Sequence, residues 1–171
     1  MQFISSLLLL GSAFFIQTTT AASYLTATAL VTKNNASTFE CWQLTEPFAI
    51  ANAPGINGAQ VSAISPVTDV GVVIIPPRFD GGIHLSPVPT LLHFLSGVAH
   101  VTLPEDPSSE ALVVGGKGGL FFSVDTTGSG HITRYPSDQE TVALMATITG
   151  GVIPKHKVLG KGACAGKQTF V

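Results

Sequence analysis

The side chains of this sequence best suited to moving protons near neutral pH are its five histidines, His84, His93, His100, His131 and His156. An unperturbed imidazole titrates near pH ~6.5, so it serves as acid or base where ordinary carboxylates and amines do not. Two of the five sit in distinctive settings. His84 belongs to residues 76–97, PPRFDGGIHLSPVPTLLHFLSG, which opens on a double proline, turns through Gly81-Gly82 and re-enters a strand pattern at Thr90. From His84 the stretch counts one residue to Ser86, three more to Thr90 and six more to Gly97. His131 closes the run Gly128-Ser129-Gly130-His131. Imidazole is also a good ligand for first-row metals, whereas the hydroxyls of Ser86 and Thr90 are poor ones. Arg78, one of only two arginines, stands just before His84 and could clamp a carboxylate or phosphate. Other catalytic signatures are missing. There is no G-x-S-x-G nucleophile elbow, and Gly115–Gly119 lacks both the spacing and the following helix of a phosphate loop, so it reads as a hairpin turn.

These residues need elements to bring them together, and the pattern of the chain is that of short strands. At 171 residues, 45% hydrophobic and 11% charged, the chain is large enough for one domain with a real core and too apolar for disorder. Eighteen glycines and eleven prolines fall between short apolar runs, which predicts an all-β fold. Residues 39–44 alternate, with Phe39, Cys41 and Gln43 on one side and Glu40, Trp42 and Leu44 on the other. Residues 70–75 (VGVVII) read as a buried strand, and further strands fall at 60–64, 91–95, 98–103, 111–114, 120–124, 131–135 and 141–148. On the strand through Thr90, His93 has the opposite parity and should face away from it. The turn spacing suits a sandwich or barrel. No repeat of 20–50 residues occurs. A net charge of −2, with no basic face, leaves no case for nucleic acid as a partner.

The spacing His84, Ser86, Thr90, Gly97 resembles the first cupin motif, H-x-H-x3-E-x6-G, with its second His and its Glu replaced. Gly128 through His131 is similar to the G-x-x-H core of the second motif, with Thr126 and Tyr135 standing where that motif has Pro and Asn. Together with Phe39-Glu40-Cys41-Trp42, these stretches resemble the small secreted cupins of fungi. The resemblance implies a single-domain cupin jelly-roll β-barrel with His84 and His131 at ligand positions inside it. Two imidazoles are one short of the three ligands usual at a catalytic zinc. No cofactor is therefore expected, with a weakly held divalent metal at His84 and His131 as the alternative. By analogy with metal-free cupins, the same pair would act as acid and base in an isomerase, dehydratase or cyclase, with Ser86, Thr90, Arg78 and Trp42 contacting the substrate. The other class of function is a non-catalytic binder of a sugar or metabolite. The expected partner in both is a small molecule, with a homodimer as the open question of assembly.

The ends of the chain speak to where it works. Residues 1–22 carry an apolar segment, 3–16, followed by threonines and Ala21-Ala22, which reads as a secretory signal peptide cut after Ala22. The apolar run falls short of a membrane span, so no stable membrane insertion is expected. A secreted, extracellular protein follows, and its two cysteines, Cys41 and Cys164, then pair most simply as one disulfide. Asn35-Ala36-Ser37 is an N-glycosylation sequon. The expected organisation is a leader at 1–22, an N-terminal arm at 23–38, a barrel at 39–150 and a tail at 151–171 tied back by the disulfide.

Overall fold

The computed structural model describes residues 22–165. The segment 1–22, expected from its sequence to be a secretory leader, lies outside them save for Ala22. The described chain is all-β, with thirteen strands, one short 3₁₀ turn at Thr149–Gly151, and no α-helix among the described residues. The strands are β1 Tyr24–Lys33, β2 Ala36–Pro47, β3 Ala49–Ile50, β4 Gln60–Val61, β5 Val67–Ile75, β6 Asp80–His84 and β7 Thr90–Ser96. They continue as β8 Val98–Thr102, β9 Glu110–Val114, β10 Leu120–Ser123, β11 His131–Arg134, β12 Thr141–Ile148 and β13 His156–Lys161.

Two sheets hold the structure together. A seven-stranded sheet runs β13-β2-β1-β10-β7-β12-β5, and a four-stranded sheet runs β6-β11-β8-β9. Leu30, Phe39, Phe94, Phe121 and Ala143 of the first pack with Ala99, Val101, Ala111 and Val113 of the second in one apolar cluster. The sheets therefore lie face to face across that core. Neither closes on itself, since β13 and β5 at the ends of the large sheet, and β6 and β9 at the ends of the small one, each have a neighbour on one side only. The expected all-β class is what the chain adopts, and its sheets stay open where a barrel would close them. Strand spacing alone is the same for both, because closure depends on which edges meet and not on how often the chain turns.

The 23–38 arm is also corrected. Tyr24–Lys33 is a full strand inside the large sheet, antiparallel to β2 and parallel to β10. Its alternate residues reach both faces: Leu30 joins the core between the sheets, while Leu25, Ala27, Ala29 and Val31 join Trp42, Leu44 and Phe122 in a second cluster on the far side. The signal for this hairpin was Asn34-Asn35. Both residues take a left-handed conformation (φ 49° and 62°), and Lys33 pairs directly with Ala36. A two-residue turn of that kind matches the twist of the flanking strands and favours Asn at both positions. Asn35 is exposed at its tip, while Ser37, the third residue of the sequon, is buried.

The run at 70–75 is an edge strand and not a buried one. Val70, Val72 and Ile74 are exposed on its outer face, while Val73 and Ile75 turn toward the space between the sheets. A continuous apolar run does not reveal whether its outer face is covered, and here β5 has a neighbour, β12, on one side only. At the opposite end, the 151–171 tail contributes β13, paired with β2, and Cys164 is bonded to Cys41 with their Cα atoms 4.6 Å apart. Among the described residues no helix is long and apolar enough to cross a membrane.

Trp42 is committed to the far cluster. Its indole Nε1 donates to Glu40 Oε2 at 2.8 Å, and its ring stacks on His156 of β13 at 3.7 Å. Glu40 also receives the Lys33 ammonium. Burial pushes the Glu40 carboxyl up, but the hydrogen bonds from Lys33 and Trp42 outweigh it and hold the group below its ordinary value of 4.5. A carboxyl depressed in the folded state stabilises the protein above the unfolded value and loses that contribution as pH falls through the folded one. Glu40→Gln is therefore expected to lower stability at pH 7 by about 1–3 kcal/mol and to flatten the acid limb below pH ~4.5. Urea unfolding of both proteins between pH 3 and 7 checks this; parallel curves would contradict it.

Candidate active site

His84 and His131 lie on adjacent antiparallel strands of the small sheet and are paired directly in register. Side chains at such positions share a face. The two rings lie 4.2 Å apart between centroids, tilted by 58°. The close approach of β11 to β6 requires Gly130, whose φ is +74° and where a Cβ would lie 2.6 Å from the His84 carbonyl oxygen. His131, Thr133 and Tyr135 then point the same way from alternate positions, and all three line one cavity. That cavity, about 230 Å³, opens between the two sheets, with His131 buried in its wall and His84 exposed at its mouth.

Each imidazole is held by its Nδ1. His131 Nδ1 lies 2.7 Å from Asp125 Oδ2, and Asp125 is fully buried. The carboxylate can only accept, so the hydrogen bond places a proton on Nδ1 and leaves Nε2 as the free nitrogen. His84 Nδ1 lies 3.0 Å from the Gly82 carbonyl, which fixes the same tautomer. Gly82 is held in turn by Asp80, whose Oδ1 accepts the Gly82 N–H at 2.9 Å and whose Oδ2 accepts Arg134 Nε at 3.0 Å. The Gly82 N–H and the Arg134 guanidinium hold the Asp80 carboxyl below its ordinary value. Two imidazoles thus stand side by side with both Nε2 atoms free of hydrogen bonds among the described residues.

Asp125 organises the buried side of the site, and sequence reasoning missed it. Its Oδ2 also accepts from Ser37 Oγ at 2.8 Å, and its Oδ1 from Ser86 Oγ at 3.3 Å. Ser86 and Ser123 hydroxyls are 2.5 Å apart, so a chain from Ser123 through Ser86 to Asp125 uses each proton once. These donors offset the cost of burying a carboxylate. The available signal was the alternation of Ser123 and Asp125 after an apolar strand, six residues before His131. Nothing local shows that a carboxylate there is buried, since Ser37 and Ser86 come from distant parts of the chain.

The remaining sequence candidates divide. Ser86 and Thr90 line the cavity, yet both hydroxyls are engaged, Ser86 Oγ with Ser123 and Asp125 and Thr90 Oγ1 donating to the Val88 carbonyl at 2.8 Å. Arg78 is outside, exposed and paired with Asp138 at 2.5 Å. Trp42 is also outside, in the far cluster. Substrate contact by either is corrected on that ground: Trp42 has the parity of the opposite face, and Arg78 lies on the exposed turn between β5 and β6, held in a left-handed conformation (φ 57°). His93 faces away from Thr90 as its parity requires, toward an apolar groove with Leu91 and Leu144. His100 pairs with Glu110 at 2.7 Å. Among the described residues no further ligand joins His84 and His131 to complete the shell that intact cupin motifs supply. Ser86 and Thr90 are engaged elsewhere, Asp125 stands behind His131, and no group of three or more His, Cys, Asp or Glu able to hold a metal occurs among the described residues.

Fold and site together define an all-β protein with a pair of histidines at a small cavity, one of them, His131, backed by a buried carboxylate. No protein-family model and no curated protein matches the chain. Among solved structures it is similar to a conserved protein of unknown function from Streptococcus pyogenes, at 18% identity and a TM-score of 0.32. That match covers 47% of this chain and 66% of the other, just under two thirds of its length.

Proposed function

We propose that the chain is an exported cupin-type protein whose cavity holds a small molecule and in which His84 and His131 exchange protons with it, as an isomerase, dehydratase or cyclase does. The observation that carries this reading is the in-register pair with both Nε2 atoms free at the cavity. One Nε2 takes a proton from a carbon beside a carbonyl while the neighbouring imidazolium delivers one to another atom of the substrate. One proton leaves and one arrives, with no change in the substrate's oxidation level. Asp125 keeps His131 in the right tautomer and supports its positive charge when Nε2 is protonated. Two facing sheets of short strands support a jelly-roll ancestry, and the disulfide supports export.

The test is deuterium uptake from D2O at the α carbon of a small cyclic ketone such as 2-methylcyclohexanone, followed by NMR. Uptake catalysed by the protein is expected to fall by about 10²–10⁴ in His131→Gln. Equal rates in the variant would sink the catalytic assignment. The mostly apolar cavity wall supports a second reading, a binding protein for a small metabolite without chemistry. In that case ligand binding survives loss of both histidines and the wild type exchanges no deuterium.

A further inference from the structure

The cavity also carries information about what it takes. None of the side chains lining it is Lys, Arg, Asp or Glu, and most of its wall is apolar, including Val73, Leu92, Phe94, Val101, Phe121 and Met145. Both arginines of the chain are spent outside it, Arg78 on Asp138 and Arg134 on Asp80. A phosphate or carboxylate in the cavity would therefore find no guanidinium or ammonium partner. A sugar fares no better. Three of the hydroxyls that line the wall, those of Ser86, Ser123 and Thr90, already serve Asp125 and the Val88 carbonyl. Most hydroxyls of a bound polyol would be left without partners, at about 1–3 kcal/mol each.

What stays open to a ligand is a short set of polar groups in the wall: the Nε2 atoms of His84 and His131 and the hydroxyls of Thr133 and Tyr135, which make no hydrogen bond among the described residues. Burial pushes the Tyr135 hydroxyl above its ordinary value of 10.0, so it stays a donor throughout the neutral range. Size sets a second limit. A dry cavity of about 150 Å³ is known to hold benzene, so the 230 Å³ here suits one ring with a short substituent.

We propose that the cavity takes an uncharged, largely apolar, single-ring molecule carrying one hydroxyl or ketone oxygen, which meets the paired imidazoles while the ring lies against the aliphatic and aromatic wall. This deepens the proton-transfer reading and rests on it for the role of the histidines, but not for the shape and chemistry of the wall.

Titration calorimetry of the purified wild-type protein with 4-propylphenol, propylbenzene, phenyl phosphate and glucose tests it directly. The expected order is 4-propylphenol tightest, propylbenzene weaker by the loss of the polar contact, and phenyl phosphate and glucose at least tenfold weaker than the phenol. Ala143→Phe, which fills the cavity, should abolish phenol binding. A rise in melting temperature on adding 4-propylphenol to the wild type gives the same answer without a variant. Preference for phenyl phosphate or glucose, or no binding of either apolar probe, overturns the proposal. Phenol binding that persists in the His84→Gln, His131→Gln double variant, with no deuterium exchange by the wild type, upholds the ligand class and removes only the catalytic reading.

Discussion

Asp125→Asn is expected to leave the protein folded and to slow ketone deuterium exchange by about 10²–10⁴, whereas Asp125→Ala is expected to cost about 3–5 kcal/mol of stability. The difference follows from what each change does to three buried donors. Alanine strands the Ser37 and Ser86 hydroxyls and His131 Nδ1, all of which donate to this carboxylate inside the protein. Each abandoned donor costs about 1–3 kcal/mol, less whatever water relieves. Asparagine keeps the volume. Its amide oxygen can replace Oδ2 beneath Ser37 and His131, and its NH2 can donate to Ser86 once the Ser86–Ser123 hydroxyl chain reverses. The fold then persists, but the negative charge that supports a protonated His131 is gone. Urea unfolding and NMR exchange on the same three proteins separate the effects. Exchange by Asp125→Asn at the wild-type rate would make Asp125 a structural residue only.

Reduction of the Cys41–Cys164 bridge, or its removal by paired alanine substitutions, is the second large expected effect. The bond spans 123 residues of sequence, and the chain-entropy model gives about 4–5 kcal/mol for closing such a loop. At roughly 2–4 °C per kcal/mol for a chain of this size, the melting temperature should fall by about 10 °C or more. The loss should begin locally. β13 pairs with β2 on one side only, and all of its residues but His156 are exposed. Beyond the bridge and the ladder to β2, the segment is held by contacts that include the Cys164 N–H to Thr28 Oγ1 at 3.0 Å, the Gly162 N–H to the Phe39 carbonyl at 2.9 Å, the Thr45 N–H to the Lys155 carbonyl at 3.1 Å, and the His156 stack on Trp42. Without the disulfide, trypsin should cut first at Lys155, Lys157 or Lys161. An unchanged melting temperature in the presence of reductant, with no new cleavage there, would contradict this.

Much of the fold was legible because its causes are local. Alternation assigned Phe39 and Trp42 to opposite faces of one strand, and the structure places them in separate apolar clusters. The same parity rule put His93 on the face away from Thr90, where it lies. Glycine-rich 115–119 is the expected turn, here between β9 and β10. The Asn34-Asn35 turn was equally readable in principle, but the threonine-rich flanks obscured the strands on either side of it.

Residue order alone was enough for an all-β chain, for the alternation within its strands and for picking out His84 and His131, because side-chain direction along a strand depends only on position. Tertiary structure alone decided which edges stay open, that Val70, Val72 and Ile74 face outward, and that Arg78 and Trp42 lie away from the cavity. It also decided that Asp125 is the buried partner of His131. Ser37, Ser86 and Asp125 are separated by dozens of residues, and a hydrogen bond between distant segments depends on sheet order and register, which no short window of sequence contains.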